Sequence, residues 1–281
     1  MNRDDKIING KELSKKFLQK TKEQIRELGI NPGLAAILIG NDSASHLYVK
    51  LKKHACNDCD INFHQYLFEG DYTEKEIIDC IKFLNNDPET TGILIQLPLP
   101  PKYNTERIIK ALDYRKDIDG FHPKNHEKMQ KCEYRLLPPL PLAIVELVNS
   151  TGQEIKNKEI VILCNHLLFA APFSCVWGKD NKVKAKTLED KKWQTAVKKA
   201  DVLIVAIGKP LFINTDMIKK DATIIDVGIN KLGDKIVGDV DYNSVLNKVK
   251  FITPVPGGVG PMTIAMLLRN LVQLHLMKKN S

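Results

Sequence analysis

The feature that most constrains the fold is a regular alternation of short apolar runs with longer amphipathic segments. In the first half of the chain, apolar runs at residues 34–39, 63–68 and 92–97 predict strands. Helical periodicity predicts helices over 12–28, from a cap at 41–43 to Ala55, and over 73–85. Because a connection between parallel strands usually contains a helix, this alternation predicts a parallel sheet covered by helices, the α/β class.

The second half of the chain repeats the alternation and predicts a second sheet. Strand candidates lie at 160–163, 183–186, 202–207 and 223–227, which is a doubly wound, Rossmann-like pattern. The run PPLP at 138–141 separates the two halves, and we expect a helix from there to Asn149. The last predicted helix covers 264–278, and Thr263 is its expected N-cap if the preceding loop has no other role.

Charge and hydropathy limit the classes of function. Lys and Arg number 42 against 34 Asp and Glu, which gives a net charge of +8 over 281 residues. The basic residues are scattered without aromatic interleaving, so we expect no nucleic-acid surface. No apolar run approaches the roughly 20 residues that span a bilayer, and the N-terminus lacks the apolar core of a signal peptide. We therefore expect a cytoplasmic protein that does not bind membranes.

The cysteines do not indicate a metal site. Cys56 and Cys59 have CxxC spacing, but no second such pair or pair of histidines lies nearby to complete a zinc site. A redox pair would open a helix just after a strand, whereas this pair falls late in a predicted helix. We expect no metal.

Tyr48 and Lys52 form the first candidate constellation. They are four residues apart on one predicted helix, so they share a face. A phenol beside an ammonium offers a stacking surface and a proton donor, and burial can lower the pKa of a Lys until it serves as an acid or base. Spacing alone favours the simpler interpretation, a core Tyr and a solvated Lys.

Two further candidates lie in or after the third predicted strand. Gln96 interrupts an apolar strand near its carboxyl end, where open parallel sheets bind ligands, or else it bonds the backbone there. The turn DIDGFHP at 117–123 contains two carboxylates that can accept from an amino-pyrimidine edge or from their own backbone. His122 in this turn is expected to be structural.

The loop PVPGGVGPMT at 254–263 leads into the last predicted helix. Its glycines allow the backbone to approach a ligand closely, but Gly-Lys-Ser/Thr is missing, so it is not a P-loop.

Together, these segments resemble the bifunctional methylenetetrahydrofolate dehydrogenase/methenyltetrahydrofolate cyclohydrolase family. The matching stretches, in the family's order and spacing, are GNDSAS at 40–45, YVKLK at 48–52, GILIQLPLP at 92–100, KDIDGFHP at 116–123, DVGIN at 226–230, GDVD at 238–241 and PVPGGVGPMT at 254–263. Each match is weak alone, but the ordered set covers nearly the whole chain and is very specific.

The resemblance implies a role for each matching residue. Lys52 would be the central catalytic residue, Gln96 would set its protonation, and Tyr48 would stack on the folate. Asp119 would anchor the pterin. The folate cleft would be lined by Gly257, Gly258, Val259 and Pro261.

The resemblance also implies an architecture. It has two α/β domains with the active site in the cleft between them. A folate domain would cover 1–140, completed by a C-terminal helix at 264–281, and a Rossmann-like domain would cover 141–263. The implied substrates are tetrahydrofolate derivatives, the implied cofactor is NADP, and the implied assembly is a homodimer.

One stretch departs from the family pattern. After the first strand of the second domain the family has Gly-Arg-Ser and later Val-Gly-x-Pro, whereas this chain reads CNHLLFAAP at 164–172. Both glycines are absent, and Asn165 stands in place of the Arg near the 2′-phosphate. The cofactor-binding candidates are therefore Asn165, His166 and Ile229, and Lys182, Lys184 and Lys186 could replace the missing Arg or form a solvated strand face.

These departures leave three interpretations. The first is a bifunctional enzyme with a divergent cofactor pocket, and the second is a cyclohydrolase with weak or lost dehydrogenase activity, which the altered turn slightly favours. The third is a non-catalytic folate-binding or scaffolding subunit of the same fold. The intact Tyr48, Lys52, Gln96 and Asp119 argue against the third.

Overall fold

A computed structural model describes residues 4–279, and these divide into two compact units. The three-stranded unit comprises Lys15–Pro139 and the segment from Ile264 onward. The five-stranded unit comprises the described residues up to Ser14 together with Leu140–Thr263. Residues 1–3 and 280–281, which the expected domain ranges include, lie outside the described residues.

The three-stranded unit is built on a parallel sheet in the order β2-β1-β3. Its strands are β1 (Gly33–Ile39), β2 (Asn62–Phe68) and β3 (Gly92–Ile95). The helices that begin or lie in this part of the chain are α1 (Gly10–Leu28), α2 (Ser43–Asp58), α3 (Glu74–Asn86), α4 (Thr105–Lys110) and α5 (Pro123–Gln130). The predicted α/β alternation is thus confirmed for this half.

The central strand β1 explains why this sheet is covered on both faces. All seven of its residues are buried, and alternate side chains point to opposite faces. Leu34, Ala36 and Leu38 pack into one cluster with apolar side chains of the first, second and last helices. Ala35, Ile37 and Ile39 pack into another cluster with α3 and α4.

The five-stranded unit contains a parallel sheet in the order β10-β7-β6-β4-β5. Its strands are β4 (Glu159–Cys164), β5 (Lys182–Lys186), β6 (Val202–Ala206), β7 (Thr223–Asp226) and β10 (Phe251–Ile252), and a small antiparallel pair is formed by β8 (Asn230–Leu232) and β9 (Lys235–Val237). Its helices include α6 (Pro139–Asn149), α7 (Ala171–Trp177), α8 (Trp193–Val197) and α9 (Tyr242–Val245). The doubly wound pattern is confirmed, and the β8–β9 hairpin was not predicted.

The last helix, α10 (Val259–Lys279), corrects one prediction. It begins five residues before the expected start at Ile264, so Thr263 is not its N-cap. The Thr263 hydroxyl instead donates to the carbonyl of Val259 at 3.0 Å, one turn back. The Gly-Pro content of the loop suggested a break, but a proline in the first turn of a helix removes only an N–H that has no helical partner.

None of the helices in residues 4–279 combines the length and the apolar character that a membrane crossing requires.

Candidate active site

Helix α2 fixes the first two candidate residues. Its N-cap is Asp42, whose carboxylate accepts from the Ser45 N–H at 2.7 Å, so the predicted cap is confirmed. Tyr48 and Lys52 follow on one face of this helix, and both are partly buried. Burial raises the pKa of the Tyr48 phenol, so this group stays protonated at neutral pH.

Gln96 holds the Lys52 ammonium. Lys52 Nζ donates to Gln96 Oε1 at 2.9 Å. The amide is itself held in place, because Gln96 Nε2 donates to the carbonyl of Leu97 at 3.0 Å and the backbone N–H donates to Ile37 in β1 at 2.9 Å. Gln96 therefore lies just after the carboxyl end of β3, and its side-chain oxygen is directed at a Lys from another element.

Asp119 lies in the electrostatic field of Lys52. Burial raises the pKa of Asp119 to about 6, with the nearby Lys52 opposing that rise. Burial also lowers the pKa of Lys52, and Asp119 opposes the fall. A lysine with a lowered pKa, held by an amide and close to a carboxyl group, releases a proton more readily than an ordinary lysine and can take it up again.

The other carboxylate of the turn, Asp117, has a structural role. Its oxygens accept from the N–H groups of Gly120 and His122 at 3.1 and 2.8 Å and from the Asn125 amide at 2.9 Å. His122 caps α5, with Nδ1 accepting from the Lys124 N–H at 3.1 Å. The turn chemistry expected from the sequence thus belongs to Asp117, and it leaves Asp119 available for another role.

The glycine-rich loop belongs to the five-stranded unit and packs against the start of α1. The Gly257 carbonyl accepts from the Lys11 N–H at 2.9 Å. A Cβ on Gly10 would lie 1.9 Å from the Gly258 carbonyl oxygen, so this contact leaves no room for a side chain at position 10. Val259 begins α10, and Pro261 lies in its first turn.

The turn after β4 contains the candidate cofactor residues Asn165 and His166. Both are exposed, and a 3-10 helix, Leu167–Ala170, follows them before α7. Leu167 and Leu168 expose 58% and 57% of their surface, which places an apolar turn at the carboxyl end of the sheet. Ile229, after β7, is likewise exposed.

The position of this turn fits a dinucleotide by topology. Open parallel sheets bind nucleotides beyond the carboxyl ends of the strands where the strand order reverses, which here is between β4 and β6. On the β6 side, a Cβ added at Gly208 would meet no atom within 4 Å, so the backbone there faces open space. The turn after β4 lacks a glycine. Side chains therefore occupy the place where the backbone of such a turn usually comes close to the nucleotide.

Two of the three lysines of β5 are engaged in ion pairs. Lys184 pairs with Glu159, and Lys186 Nζ lies 2.5 Å from Asp190 Oδ2. Because Lys184 is already paired with an acid, its contact favours a solvated strand face and not a replacement for the missing Arg.

Two buried carboxylates in the family-like motifs were not singled out from the sequence. Asp239 accepts from the N–H groups of Ile207, Gly208 and Lys209 and from the Asn230 amide, at 2.7 to 3.0 Å. Asp226 accepts from the backbone of Gly228, Asp239 and Val240, and burial raises its pKa to about 7.

In the sequence, Asp226 is followed closely by Gly228, and Asp239 is preceded by Gly238. These neighbouring glycines were the signal that could have identified the two carboxylates. A Cβ on Gly238 would lie 1.8 Å from an Asp226 oxygen, and one on Gly228 would lie 2.4 Å from Asp239. A buried carboxylate beside an obligatory glycine indicates a structural turn. Among residues 4–279, no group of three or more His, Cys, Asp or Glu side chains is placed to hold a metal ion.

Two models of known protein families match this chain. Residues 8–119 match the tetrahydrofolate dehydrogenase/cyclohydrolase catalytic domain, and residues 138–279 match the NAD(P)-binding domain of the same family. The chain belongs to the tetrahydrofolate dehydrogenase/cyclohydrolase family. The resemblance predicted from the sequence is thereby confirmed.

Relatives and solved structures of the family agree along the whole chain. The bifunctional protein FolD of Nitratiruptor sp. is 40% identical over 280 residues, which cover 98% of this chain and 99% of that protein. The crystal structure of FolD from Campylobacter jejuni has a TM-score of 0.91 at 37% identity and covers 97% of this chain and 99% of that one. FolD from Trypanosoma brucei, solved with NADP and an inhibitor, has a TM-score of 0.91 at 27% identity, with 98% of each chain covered.

These comparisons confirm the expected fold class and enzyme class. The family's members named above are bifunctional dehydrogenase/cyclohydrolases, and its second domain binds NAD(P). The interpretation as a non-catalytic scaffolding subunit is not favoured.

Proposed function

We propose that this chain hydrolyses 5,10-methenyltetrahydrofolate to 10-formyltetrahydrofolate and oxidises 5,10-methylenetetrahydrofolate with NADP. The observation that carries the proposal is the 2.9 Å bond from Lys52 Nζ to Gln96 Oε1, together with the electrostatic interaction between Lys52 and the partly buried Asp119. The family models and the bifunctional relatives support both halves of the reaction sequence.

In the hydrolytic step, Lys52 acts as the general acid. The methenyl carbon is flanked by two nitrogens in an amidinium-like bridge, so it accepts water without strong activation. The C–O bond forms and a proton leaves the added water. The bond from this carbon to N5 then breaks, N5 takes up a proton, and the hydroxyl on the carbon loses its own proton as the carbonyl of the formyl group forms on N10. Lys52, with its lowered pKa, delivers the proton to the leaving nitrogen.

The remaining residues bind and orient the substrate. Gln96 holds the Lys52 ammonium through its side-chain oxygen and so favours one orientation of that group. Tyr48, one helical turn before Lys52, stacks on the folate ring system. Asp119 accepts hydrogen bonds from the amino-pyrimidine edge of the pterin. We further propose that Gly257, Gly258, Val259 and Pro261 contact the folate, as the family resemblance implies.

NADP supplies the hydride acceptor for the oxidative half. Asn165, His166 and Ile229 lie on turns that follow the carboxyl ends of β4 and β7, so they are the residues of this chain that would contact the nucleotide. The exposed Leu167 and Leu168 would offer it an apolar surface instead of the usual glycines.

The proposal also covers the location of the enzyme in the cell and its oligomeric state. We infer that the enzyme works in the cytoplasm, where it would act on tetrahydrofolate derivatives. We also infer a homodimer, the assembly that the family resemblance implies.

The proposal is tested by assaying both activities on one purified preparation. Methylenetetrahydrofolate oxidation is followed with NADP, and hydrolysis is followed by the decay of methenyltetrahydrofolate absorbance. Activity in both assays supports the proposal, and hydrolysis alone would remove its oxidative half. Absence of both would revive the non-catalytic subunit.

The role of Lys52 is tested with the variant Lys52→Met. We expect hydrolysis to fall by at least 100-fold, the lower range for loss of a positioned general acid, while folate binding stays measurable. Lys53→Met is the matched control, because Lys53 is the next residue on the same helix and is exposed. Unchanged hydrolysis in Lys52→Met, or an equal loss in both variants, would remove Lys52 from the mechanism.

A further inference from the structure

Lys186 is the last residue of β5 and lies beside the strand that leads into the cofactor turn. β5 pairs with β4 in parallel, and the last pair of their register joins Lys186 to Leu163. Because parallel strands end at the same edge of a sheet, Lys186 lies at the edge where the turn containing Asn165 begins. The 3-10 helix of that turn, Leu167–Ala170, packs against β5. The cationic end of β5 therefore adjoins the cofactor turn.

The side chain of Asn165 is directed away from β5. Its Nδ2 donates to the carbonyl of Ile207 at 3.1 Å, and Ile207 follows β6, which lies on the other side of β4 from β5. Asn165 stands where the family has an Arg near the 2′-phosphate, but its amide is neutral and cannot replace the charge of a guanidinium. A phosphate on the β5 side of the turn therefore requires another cation.

The end of β5 is where dinucleotide-binding domains distinguish NAD from NADP. The residue that recognises the 2′ position of the adenosine ribose follows the first turn by about 20 residues. An acid there accepts from the hydroxyl of NAD, and a nearby Arg accommodates the phosphate of NADP. Lys186 lies 21 positions after Asn165, and Asp190 follows it closely. The chain thus places one ammonium and one carboxylate at this position.

The ammonium of this pair keeps donors for a ligand, whereas both oxygens of the carboxylate are engaged. Lys186 Nζ lies 2.5 Å from Asp190 Oδ2, and the two side chains expose 22% and 34% of their surface. Asp190 Oδ1 accepts from the N–H of Lys192 at 2.8 Å. An ammonium has three donors, so two remain after the bond to Asp190. Asp190 therefore holds the Lys186 ammonium in place without using up its donors.

The direction of each ion pair separates Lys186 from the other two lysines of β5. Lys184 pairs with Glu159, the first residue of β4, so its ammonium is directed towards the amino end of the strands. Lys182 is the first residue of β5 and lies about 13 Å from Lys186 along the strand, at a rise of about 3.3 Å per residue. Lys186 pairs with a residue that follows β5, so its ammonium stays at the carboxyl end.

We propose that Lys186 binds the 2′-phosphate of NADP in the place of the Arg that this chain lacks, and that it makes the site selective for NADP over NAD. Asp190 is the positioning residue of this contact. The proposal rests on the proposed function, because it takes the turn after β4 as the cofactor site. A bond from an ammonium to a phosphate is stronger than a neutral one, so its loss should weaken NADP binding about tenfold or more.

The test is isothermal titration of NADP and of NAD into the unmodified protein, Lys186→Met, Lys186→Arg and the control Lys184→Met. Lys184 lies on the same face of β5 and is likewise paired with an acid. We expect the dissociation constant for NADP to rise about tenfold or more in Lys186→Met, and to stay close to the original value in Lys186→Arg and Lys184→Met. The dissociation constant for NAD should be the same in all four proteins.

A double variant, Lys186→Met with Asp190→Asn, separates the loss of the lysine from repulsion by the acid that it leaves unpaired. We expect the weaker NADP binding to persist in the double variant, since the lost contact is that of Lys186. Recovery of the original affinity there would overturn the proposal.

The remaining outcomes distinguish this proposal from the proposed function. Unchanged NADP affinity in Lys186→Met, or an equal loss for NADP and NAD, would overturn the role of Lys186. Equal or tighter binding of NAD by the unmodified protein would also overturn it, and would leave NAD as the hydride acceptor. No binding of either nucleotide to the unmodified protein would overturn the oxidative half of the proposed function as well. Damage to the fold would weaken both nucleotides, so a loss confined to NADP supports the contact.

Discussion

At the residue scale, the chemistry of the site depends on opposite effects of burial on two charged groups. Burial lowers the pKa of Lys52 and raises that of Asp119, while the attraction between the two groups opposes both shifts. Each group is thereby brought closer to neutral pH than its ordinary value allows. Gln96 is uncharged, so it holds the ammonium without stabilising the positive charge as strongly as a second carboxylate would.

The pKa of Asp119 leads to a prediction for substrate binding. With a pKa of about 6, this carboxyl is mostly ionised at pH 7 and mostly protonated at pH 5. If the ionised form binds the pterin edge, folate affinity should fall about tenfold between these two pH values. Asp119→Asn should remove this dependence, and the ratio of dissociation constants for the unmodified protein and the variant cancels titration of the ligand. Parallel pH profiles would exclude Asp119 as the titrating group.

The same pKa has a definite sign for stability. The folded value of about 6 lies above the ordinary value of 3.8, so the folded chain binds more protons between these limits. The contribution of Asp119 to stability is therefore complete below pH 3.8 and is lost as the pH rises towards 6. Without substrate, the folded protein is thus less stable at the pH values at which Asp119 is ionised and able to bind substrate.

At the element scale, the ends of the strands in the five-stranded unit are joined by carboxylates instead of further backbone pairing. Asp239 gathers three consecutive N–H groups after β6, and Asp226, the last residue of β7, binds the backbone at Asp239 and Val240. Glycines at 228 and 238 provide the space for these side chains. This network fixes the backbone just beyond the carboxyl ends of β6 and β7.

Asp239→Ala should therefore lower the free energy of unfolding of this unit by about 3 kcal/mol or more. The substitution leaves the buried N–H of Ile207 without an acceptor, which costs about 1–3 kcal/mol, and it removes three further, partly buried hydrogen bonds that contribute about 0.5–1.5 kcal/mol each. Urea unfolding read by tryptophan fluorescence reports on this unit, because both tryptophans of the chain lie in it. Asp241→Ala is the control, since it removes only the N-cap of α9 and should cost about 1 kcal/mol. Equal losses in the two variants would contradict the role given to Asp239.

At the scale of the whole molecule, the net charge of +8 acts on an anionic substrate. Tetrahydrofolate derivatives carry a glutamate with two carboxylates, so the positive field of the chain favours their approach. Many of the surface charges are already paired with acids on the same helix, as Lys75 is with Asp79 and Lys131 with Glu127. The excess positive charge is scattered along the sequence and does not form one basic block.

Salt should therefore weaken substrate binding without affecting the chemical step. Raising NaCl from about 0.1 to about 1 M shortens the Debye length from about 10 to about 3 Å. We expect the KM for methenyltetrahydrofolate to rise a few-fold while kcat stays constant. Sucrose at matched osmotic strength should leave KM unchanged. A fall in kcat with constant KM would show that salt acts on the catalytic groups themselves.

The sequence by itself determined the class of fold and most of its elements. Strands such as β1 and helices such as α2 follow from local periodicity and capping, which depend on residues only a few positions apart. It also pointed to Tyr48, Lys52, Gln96 and Asp119 by their residue types and through the family motifs. The start of α10 was misplaced, because the loop's glycines and prolines are also compatible with the first turn of a helix, and the β8–β9 hairpin was missed. The third strand was predicted to reach residue 97 but ends at Ile95, just before Gln96.

The tertiary structure alone decided which of these residues meet and what burial does to them. Lys52 and Gln96 are 44 positions apart, and their contact depends on α2 packing beside the end of β3. Asp117, and not Asp119, accepts the hydrogen bonds of the turn, because the folded backbone surrounds the Asp117 carboxylate. The bond from Asn165 to Ile207 depends on the pairing of β4 with β6. Such contacts join distant parts of the chain, and a pKa depends on the desolvation they produce, so local sequence patterns do not contain them.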